Sequence, residues 1–349
     1  MKTSRVYLDH NATMPLRPEA KAAMIEAMDI VGNPSSVHAE GRKAKALLER
    51  ARADIAELLG AMDCDIVFTS GATEAADLAL TGRDLVGAAV EHDAVLSCVE
   101  ASLPVSANGL IDAANPSRST VQLANSETGV IQKLPSGLAV TDLTQAIGKI
   151  PVAFGWTGAQ MGLISAHKFG GPKGVGAVIL RRGLDLKAKI RGGGQEMGRR
   201  SGTENLIGIA GLAAALKSAD EDLNRGVWHE IEEFRNILEI SLHTTANKTI
   251  FVGKGGDRLP NTSCIVTPGW KGETQVMQMD LAGYAISAGS ACSSGKVRAS
   301  KVLGAMGFDE QAASSAIRVS LGPETTREDI DRFAETWLKH YEKFRARAA

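Results

Sequence analysis

The feature that most restricts this 349-residue chain is a rhythm: short apolar segments recur, each followed by a helical or turn-like stretch. The segments are "DIVFTS" (65–70), "LVGAAVE" (85–91), "TVQLAN" (120–125), "GLAVTD" (137–142), "QMGLIS" (160–165) and "VGAVILRR" (175–182). Apolar runs this short read as strands buried on both faces, and the intervening helices supply the cover. The pattern predicts an α/β fold with a mostly parallel sheet flanked by helices. A helical pattern starts near Pro18, and "AEGRKAKALLERARADIAELLG" predicts an amphipathic helix that stops at Gly60. "ADEDLNRGVWHEIEEFRNILEISL" (219–242) predicts one charged helix that bridges to a second unit. From about Thr249 a smaller α+β unit is expected, with strands near "NTSCIVT", "YAISAG" and "AIRVSLG" and a closing helix from Thr326. The expected division is a large unit of residues 16–225 and a small unit of residues 1–15 and 226–349.

Composition narrows the function classes. Lys plus Arg number 39 and Asp plus Glu 40, so a net charge of -1 gives no electrostatic case for nucleic acid or an anionic membrane as partner. The start, "MKTSRVYLDHNAT", lacks the apolar core of a signal peptide, and "LIGIAGLAAAL" (206–216) is too short to span a bilayer. The four cysteines, Cys64, Cys98, Cys264 and Cys292, lie far apart without CxxC spacing, which predicts reduced thiols in a cytoplasmic protein rather than a zinc site or disulfide framework.

Several pieces carry chemistry. In "FTSGATE" a strand ends at Ser70, Gly71 allows a tight turn, and Ala72, Thr73 and Glu74 open a helix. Free amides and the helix dipole would favour a phosphate there, although a plain capping turn fits the same residues. Neither this stretch nor "GGPKGVG" has the Gly-Lys-Ser/Thr of a P-loop. Asp142 ends an apolar run, at the edge where open α/β sheets bind ligands; it would either meet a protonated pyridine nitrogen or cap the next helix. Lys168 follows "LIS" and two small-to-medium residues and is either a desolvated, imine-forming amine or a surface lysine. Pyridoxal phosphate needs contacts of these three kinds, for its phosphate, its ring nitrogen and its aldehyde. His92 would stack on a flat ring, or serve as a structural histidine. "RGGGQEMGRRSGTEN" (191–205) offers Arg199, Arg200, Ser201 and Thr203 to a phosphate, or is a surface loop. Arg318, in a probable strand, would clamp a substrate carboxylate or lie on a solvent face.

"YLDHNAT", "GNPSSVH", "IVFTSGATE", "EHDAV", "ANSETGVIQ", "TDLTQAIGKIP", "SAHKFGGPKGVGA", "RSGTEN", "SAGSACSSG" and "AIRVSLG" resemble, in the same order, the motifs of cysteine desulfurases of the NifS/IscS branch. These are class V, fold-type I pyridoxal-phosphate enzymes, and the resemblance runs from Tyr7 to the last helix. It implies a seven-stranded-type sheet in the large domain and a homodimer. Lys168 would hold the cofactor covalently, Asp142 would pair with its pyridine nitrogen, His92 would stack on the ring and Gln145 would hydrogen-bond its phenolic oxygen. Ala72, Thr73, Ser165 and His167 would bind the phosphate, with Thr203 reaching in from the other subunit. Asn125, beside the cofactor, and Arg318 would hold the carboxylate of L-cysteine, and Cys292 would be the nucleophile, with His92 as acceptor of its proton. The implied activity releases L-alanine and leaves a persulfide on Cys292, to be passed to an iron–sulfur scaffold or a tRNA-thiolation relay. No metal is expected beyond a nascent iron–sulfur cluster that Cys292 would ligate transiently. Selenocysteine lyase and class V aminotransferase activities fit the same scaffold, though an aminotransferase has no need of Cys292.

Three departures from the family stand out. The stretch between Glu74 and Asp142 is short, Leu143 replaces a smaller residue, and "GKVRAS" (295–300) is basic. The small residues of "SAGSACSSGK" (287–296) predict a loosely packed tether around Cys292, since they bury little apolar area and bend easily.

Overall fold

The computed structural model describes residues 5–289 and 299–348. Cys292, and with it the expectation of a loose tether around it, lies outside the described residues. The chain opens with β1 (Val6–Tyr7), α1 (Pro18–Met28) and α2 (Ala39–Leu58). Strands and helices then alternate as expected: β2 (Cys64–Thr69), α3 (Ala72–Leu80), β3 (Val86–Ala88), α4 (Asp93–Leu96), β4 (Glu100–Leu103), β5 (Thr120–Gln122), β6 (Val140–Asp142), α5 (Phe154–Thr157), β7 (Met161–Ser165) and β8 (Gly176–Arg181). Two long helices follow, α6 (Leu206–Asn224) and α7 (Val227–Thr245). The remainder comprises β9 (Ile250–Phe251), β10 (Thr262–Val266), α8 (Gly272–Leu281), β11 (Tyr284–Ala285), β12 (Ser287–Ala288), α9 (Lys301–Ala305), α10 (Glu310–Ser314), β13 (Ala316–Ser320) and α11 (Arg327–Ala348).

The main sheet has the order β2-β8-β7-β6-β5. Strands β5, β6 and β7 are parallel neighbours, and β8 runs antiparallel to β7 and β2. A parallel bridge from Val86 to Ser119 sets the parallel pair β3–β4 beside β5, so seven strands follow one another with only β8 reversed. Side chains alternate between the two faces as a pleat requires. Ile66, Phe68, Ile164 and Ile179 pack with Leu48, Ile55 and Leu212 of α2 and α6. Val67, Leu163, Val178 and Leu180 pack with Ala75, Leu78 and Ala79 of α3 on the opposite face. Burial on both sides explains why these strands read as unbroken apolar runs.

The C-terminal part builds its own antiparallel sheet, β12-β13-β10-β9, over a core of Trp228, Ile231, Leu238, Phe333 and Trp337 from α7 and α11. The N-terminus belongs to this core: β1 pairs parallel with β11, and Val6 and Leu8 are buried there. One expectation is corrected. The single helix over 219–242 is two helices, because Gly226 adopts φ 76 and ψ 17 and so ends α6 and starts α7. That left-handed conformation is open to glycine at little cost and stops an α-helix.

Candidate active site

The parallel strands deliver their C-terminal ends to one edge of the sheet. From β2 comes the turn at Gly71, from β3 His92, from β5 Asn125, from β6 Asp142, and from β7 Ser165 and a 3-10 turn carrying His167 and Lys168. Such an edge is where open α/β sheets place ligands. Gly71 has φ 151 and ψ -179, a conformation essentially reserved for glycine, and no side chain caps the start of α3. A Cβ at Gly71 would stand 3.7 Å from Ser165 Oγ, so the hydroxyl faces the turn. Glu74 accepts from the Ser70 amide (2.7 Å) and pairs with Arg200 (2.9 Å), which ties the loop holding Thr203 to α3. Uncapped amides, a hydroxyl and a close glycine turn suit a phosphate.

The Lys168 side chain is mostly buried, and its amine donates to the carbonyls of Asn11 (2.7 Å) and Ala12 (2.9 Å). Burial, with repulsion from Arg318, lowers it to about 8, while Asp142 and Asp9 pull the other way. The surface-lysine reading therefore fails. Asp142 accepts from the Thr144 amide at Oδ1 (2.8 Å), so it holds the following turn and also acts on Lys168. Gln145 donates from Nε2 to the Asn11 carbonyl (2.9 Å) and accepts at Oε1 from Lys149 (2.6 Å). His167 is pushed down to about 4 by burial and by Lys168, Lys173, Lys149 and His92, which keeps its ring neutral near pH 7.

Arg318 is 9% exposed, which rules out the solvent-face reading. Its Nη2 pairs with Asp9 (2.7 Å) and its Nη1 donates to the Ser126 carbonyl (3.0 Å). Among the described residues, Arg318 Nε, His167 Nδ1 and Thr144 Oγ1 are buried with no hydrogen-bond partner. Buried polar atoms are nearly always satisfied, so each of these suits a polar ligand.

Other expected residues are placed differently. Asn125 is buried with its amide engaged: Nδ2 donates to Val90 O (2.9 Å), and Oδ1 accepts from the amides of Glu127 (2.9 Å) and Thr128 (2.8 Å). It holds the turn after β5 rather than pointing a free amide at the site. His92 is exposed and caps α4, its Nδ1 accepting from the Ala94 amide (3.1 Å). A neutral ring held this way carries its proton on Nε2, so accepting a proton there requires the other tautomer. Thr73 and Thr203 are exposed. Arg199 and Arg200 do not wait for a phosphate: Arg199 pairs with Asp65 (2.7 Å) and Asp185 (3.1 Å), and Arg200 with Glu74. Sequence reasoning missed Asp9, Asn11 and Lys149. The first two lie in "YLDHNAT" and the third in "TDLTQAIGKIP", but nothing in their spacing says what they touch.

Among the described residues no disulfide joins Cys64, Cys98 or Cys264, no acidic, histidine and cysteine group could hold a metal, and no helix is long and apolar enough to cross a membrane.

Residues 6–333 match the aminotransferase class-V family. The chain is 40% identical to a cysteine desulfurase of Cereibacter sphaeroides, over 98% of this chain and 97% of that one. Its fold is similar to that of a NifS-like protein from Rickettsia africae, with a TM-score of 0.87 and 32% identity over 97% of this chain and 99% of the other. A structure of SspA in complex with cysteine is similar as well, with a TM-score of 0.75 and 27% identity over 92% of this chain and all of that one (100%).

Proposed function

Because the chain belongs to the aminotransferase class-V family and, within it, to the cysteine desulfurases, we propose that it takes sulfur from L-cysteine, releasing L-alanine, with pyridoxal phosphate as cofactor and Cys292 as sulfur acceptor. The observation that carries this reading is the Lys168 amine, held at the sheet edge by the Asn11 and Ala12 carbonyls and lowered by burial to about 8.

Bound pyridoxal phosphate supplies an electron sink for the bond changes at the substrate's α- and β-carbons. The chain's residues do the rest. The Ala72 and Thr73 amides, Ser165 and His167 would hold the phosphate, with Thr203 joining from a second subunit. Asp142 would keep the pyridine nitrogen protonated, the Gln145 N–H would meet the phenolic oxygen, and His92 would cover the ring. Lys168 would attach the cofactor and, once displaced by substrate, carry the α-proton; an amine near 8 both attacks and accepts protons at neutral pH. Arg318 would take the substrate carboxylate, and Asn125 would hold the turn beside it. His92 would also be the acceptor of the Cys292 thiol proton. The Cys292 thiolate would attack the substrate sulfur as the bond from that sulfur to the β-carbon breaks, keeping the sulfur as a persulfide. The electron pair of the broken bond would stay with the carbon fragment, which is protonated and released as L-alanine.

We also propose a homodimer in the cytoplasm, handing sulfur to an iron–sulfur scaffold or a tRNA-thiolation relay, and a division into a large unit of 16–225 and a small unit of 1–15 and 226–349. The break at Gly226 and the separate C-terminal core support the division.

The test is sulfide and alanine production from L-cysteine with a reductant. Wild type should give the two products in equal amounts. Cys292→Ala should keep the cofactor's visible band and lose on the order of 100-fold or more in sulfide release. Undiminished release by Cys292→Ala would remove the persulfide from the mechanism.

A further inference from the structure

We propose that Lys149 is a positioning residue that fixes the orientation of the Gln145 amide, so that its N–H rather than its carbonyl oxygen is offered to the cofactor's phenolic oxygen. The proposal rests on the reading that Gln145 contacts that oxygen.

Lys149 is 1% exposed, one of the largest wholly buried side chains, and lies two turns of chain beyond Asp142. Its Nζ donates to two acceptors of one residue, Gln145 Oε1 (2.6 Å) and Gln145 O (3.2 Å). At the other end of the amide, Gln145 Nε2 donates to the Asn11 carbonyl (2.9 Å). A carbonyl only accepts and a lysine head group donates, so both ends of the amide are specified by groups that cannot exchange roles. Turning it over would set a carbonyl oxygen against the Asn11 carbonyl and an NH2 group against the Lys149 amine. Two hydrogen bonds would be lost and two repulsive contacts made, in a buried place where each unmade bond is costly. The Asn11 carbonyl also accepts from Lys168 (2.7 Å), which puts the Gln145 N–H group beside the point of cofactor attachment.

The setting otherwise opposes a lysine. Among the described ion pairs none includes Lys149. The charged groups that act on it, Lys168 and Arg318, are both cations, and His10 and His167 feel it in turn. Burial first, then these two cations, hold its amine well below the ordinary lysine range. A neutral amine would keep its two N–H bonds to the acceptors that face it but could also accept through its lone pair, so the selection is strict for the ammonium form, which only donates. An apolar side chain of the same length would fill the volume without the cost of burying an amine. What it could not do is select one face of the Gln145 amide.

The experiment follows the pH midpoint of the bound cofactor's visible band in the holoprotein, a spectroscopic readout independent of turnover, for Lys149→Met, Gln145→Ala and the double variant, with the melting temperature of each. Lys149→Leu stands in should Lys149→Met not fold. Loss of a donor to a phenolate disfavours the deprotonated state, so Gln145→Ala should raise the midpoint. Lys149→Met should raise it by about half a unit or more, roughly threefold in the equilibrium, with a melting temperature no lower than wild type. In the Gln145→Ala background the same substitution should shift it by less than half as much, since the lysine acts through the glutamine. A Lys149→Met midpoint equal to wild type, or an equal shift in both backgrounds, would overturn the proposal while leaving the Gln145 contact standing. An unmoved midpoint in Gln145→Ala would overturn that contact, and the proposal with it.

Discussion

Glu127 sits wholly inside the protein, next to the site's arginine. Burial pushes its carboxyl up to about 7, against the pull of a hydrogen bond to Ser300 and the charge of Arg318, and among the described residues Oε1 has no partner. An unfolded carboxyl titrates near 4.5, so between 4.5 and 7 the folded protein holds a proton that the unfolded chain has released. Stability from this group is therefore lost as pH rises through that window and is constant above it. Glu127→Gln should melt progressively higher than wild type from pH 5 to 8, by up to about 3 kcal/mol in stability. A difference that is flat with pH would mean the carboxyl titrates normally. His10, lowered to about 4 by burial first, tilts the curve oppositely: its contribution is lost as pH falls from 6.5 towards 4, so the difference between variant and wild type is the quantity to follow. Lys168 gives a kinetic counterpart. Capture of added pyridoxal phosphate by the apoprotein, followed by its visible band, should accelerate with pH and level off above about 8. A rate still climbing tenfold per unit at pH 9 would place the amine at its ordinary value.

At the scale of elements, two glycines separate a site role from a fold role. Gly71 holds the extended positive-φ turn that opens α3. Gly71→Ala should cost about 1–3 kcal/mol and weaken cofactor binding at least tenfold, because the cradle amides move with the turn. Gly226→Ala should cost about 1 kcal/mol and leave cofactor affinity unchanged, as its left-handed turn only joins α6 to α7. Equilibrium dialysis of cofactor with urea unfolding of both variants reads the contrast; equal loss of affinity in the two would remove the distinction. The strands of the main sheet, and with them Asp142 and Lys168 at strand ends, were legible because burial on both faces writes itself as apolar runs. The α6–α7 break was not, because a lone glycine inside a charged helical period is an ordinary tolerated residue until its φ is known. Nor were the partners of Arg199 and Arg200, whose carboxylates at Asp65, Asp185 and Glu74 come from β2, the loop after β8 and α3. Composition offers a basic loop to phosphate; only the packing shows it already neutralised.

On the scale of the molecule, the site draws on both ends of the chain. Asn11 and Ala12 hold Lys168, Asp9 pairs with Arg318 of β13, and β1 is a strand of the C-terminal unit. Leu8 is fully buried in that unit's core, so Leu8→Ala should cost about 2–5 kcal/mol, read in urea unfolding, and should loosen Asp9 and Asn11 as well. Cofactor affinity should fall with stability; affinity unchanged despite such a loss would separate the N-terminal segment from the site. This reach was invisible in the sequence for a simple reason: contacts such as that between Asp9 and Arg318, 309 residues apart, leave no periodic or spacing signal in either segment.

The same ion pair has a consequence for synthesis. Asp9 precedes Arg318 by 309 residues, so while that interval is being made the carboxylate stands without this arginine and the Lys168 amine is short of one of its charged neighbours. The candidate site is completed only when β13 is made, and a chain stalled before β13 lacks its arginine.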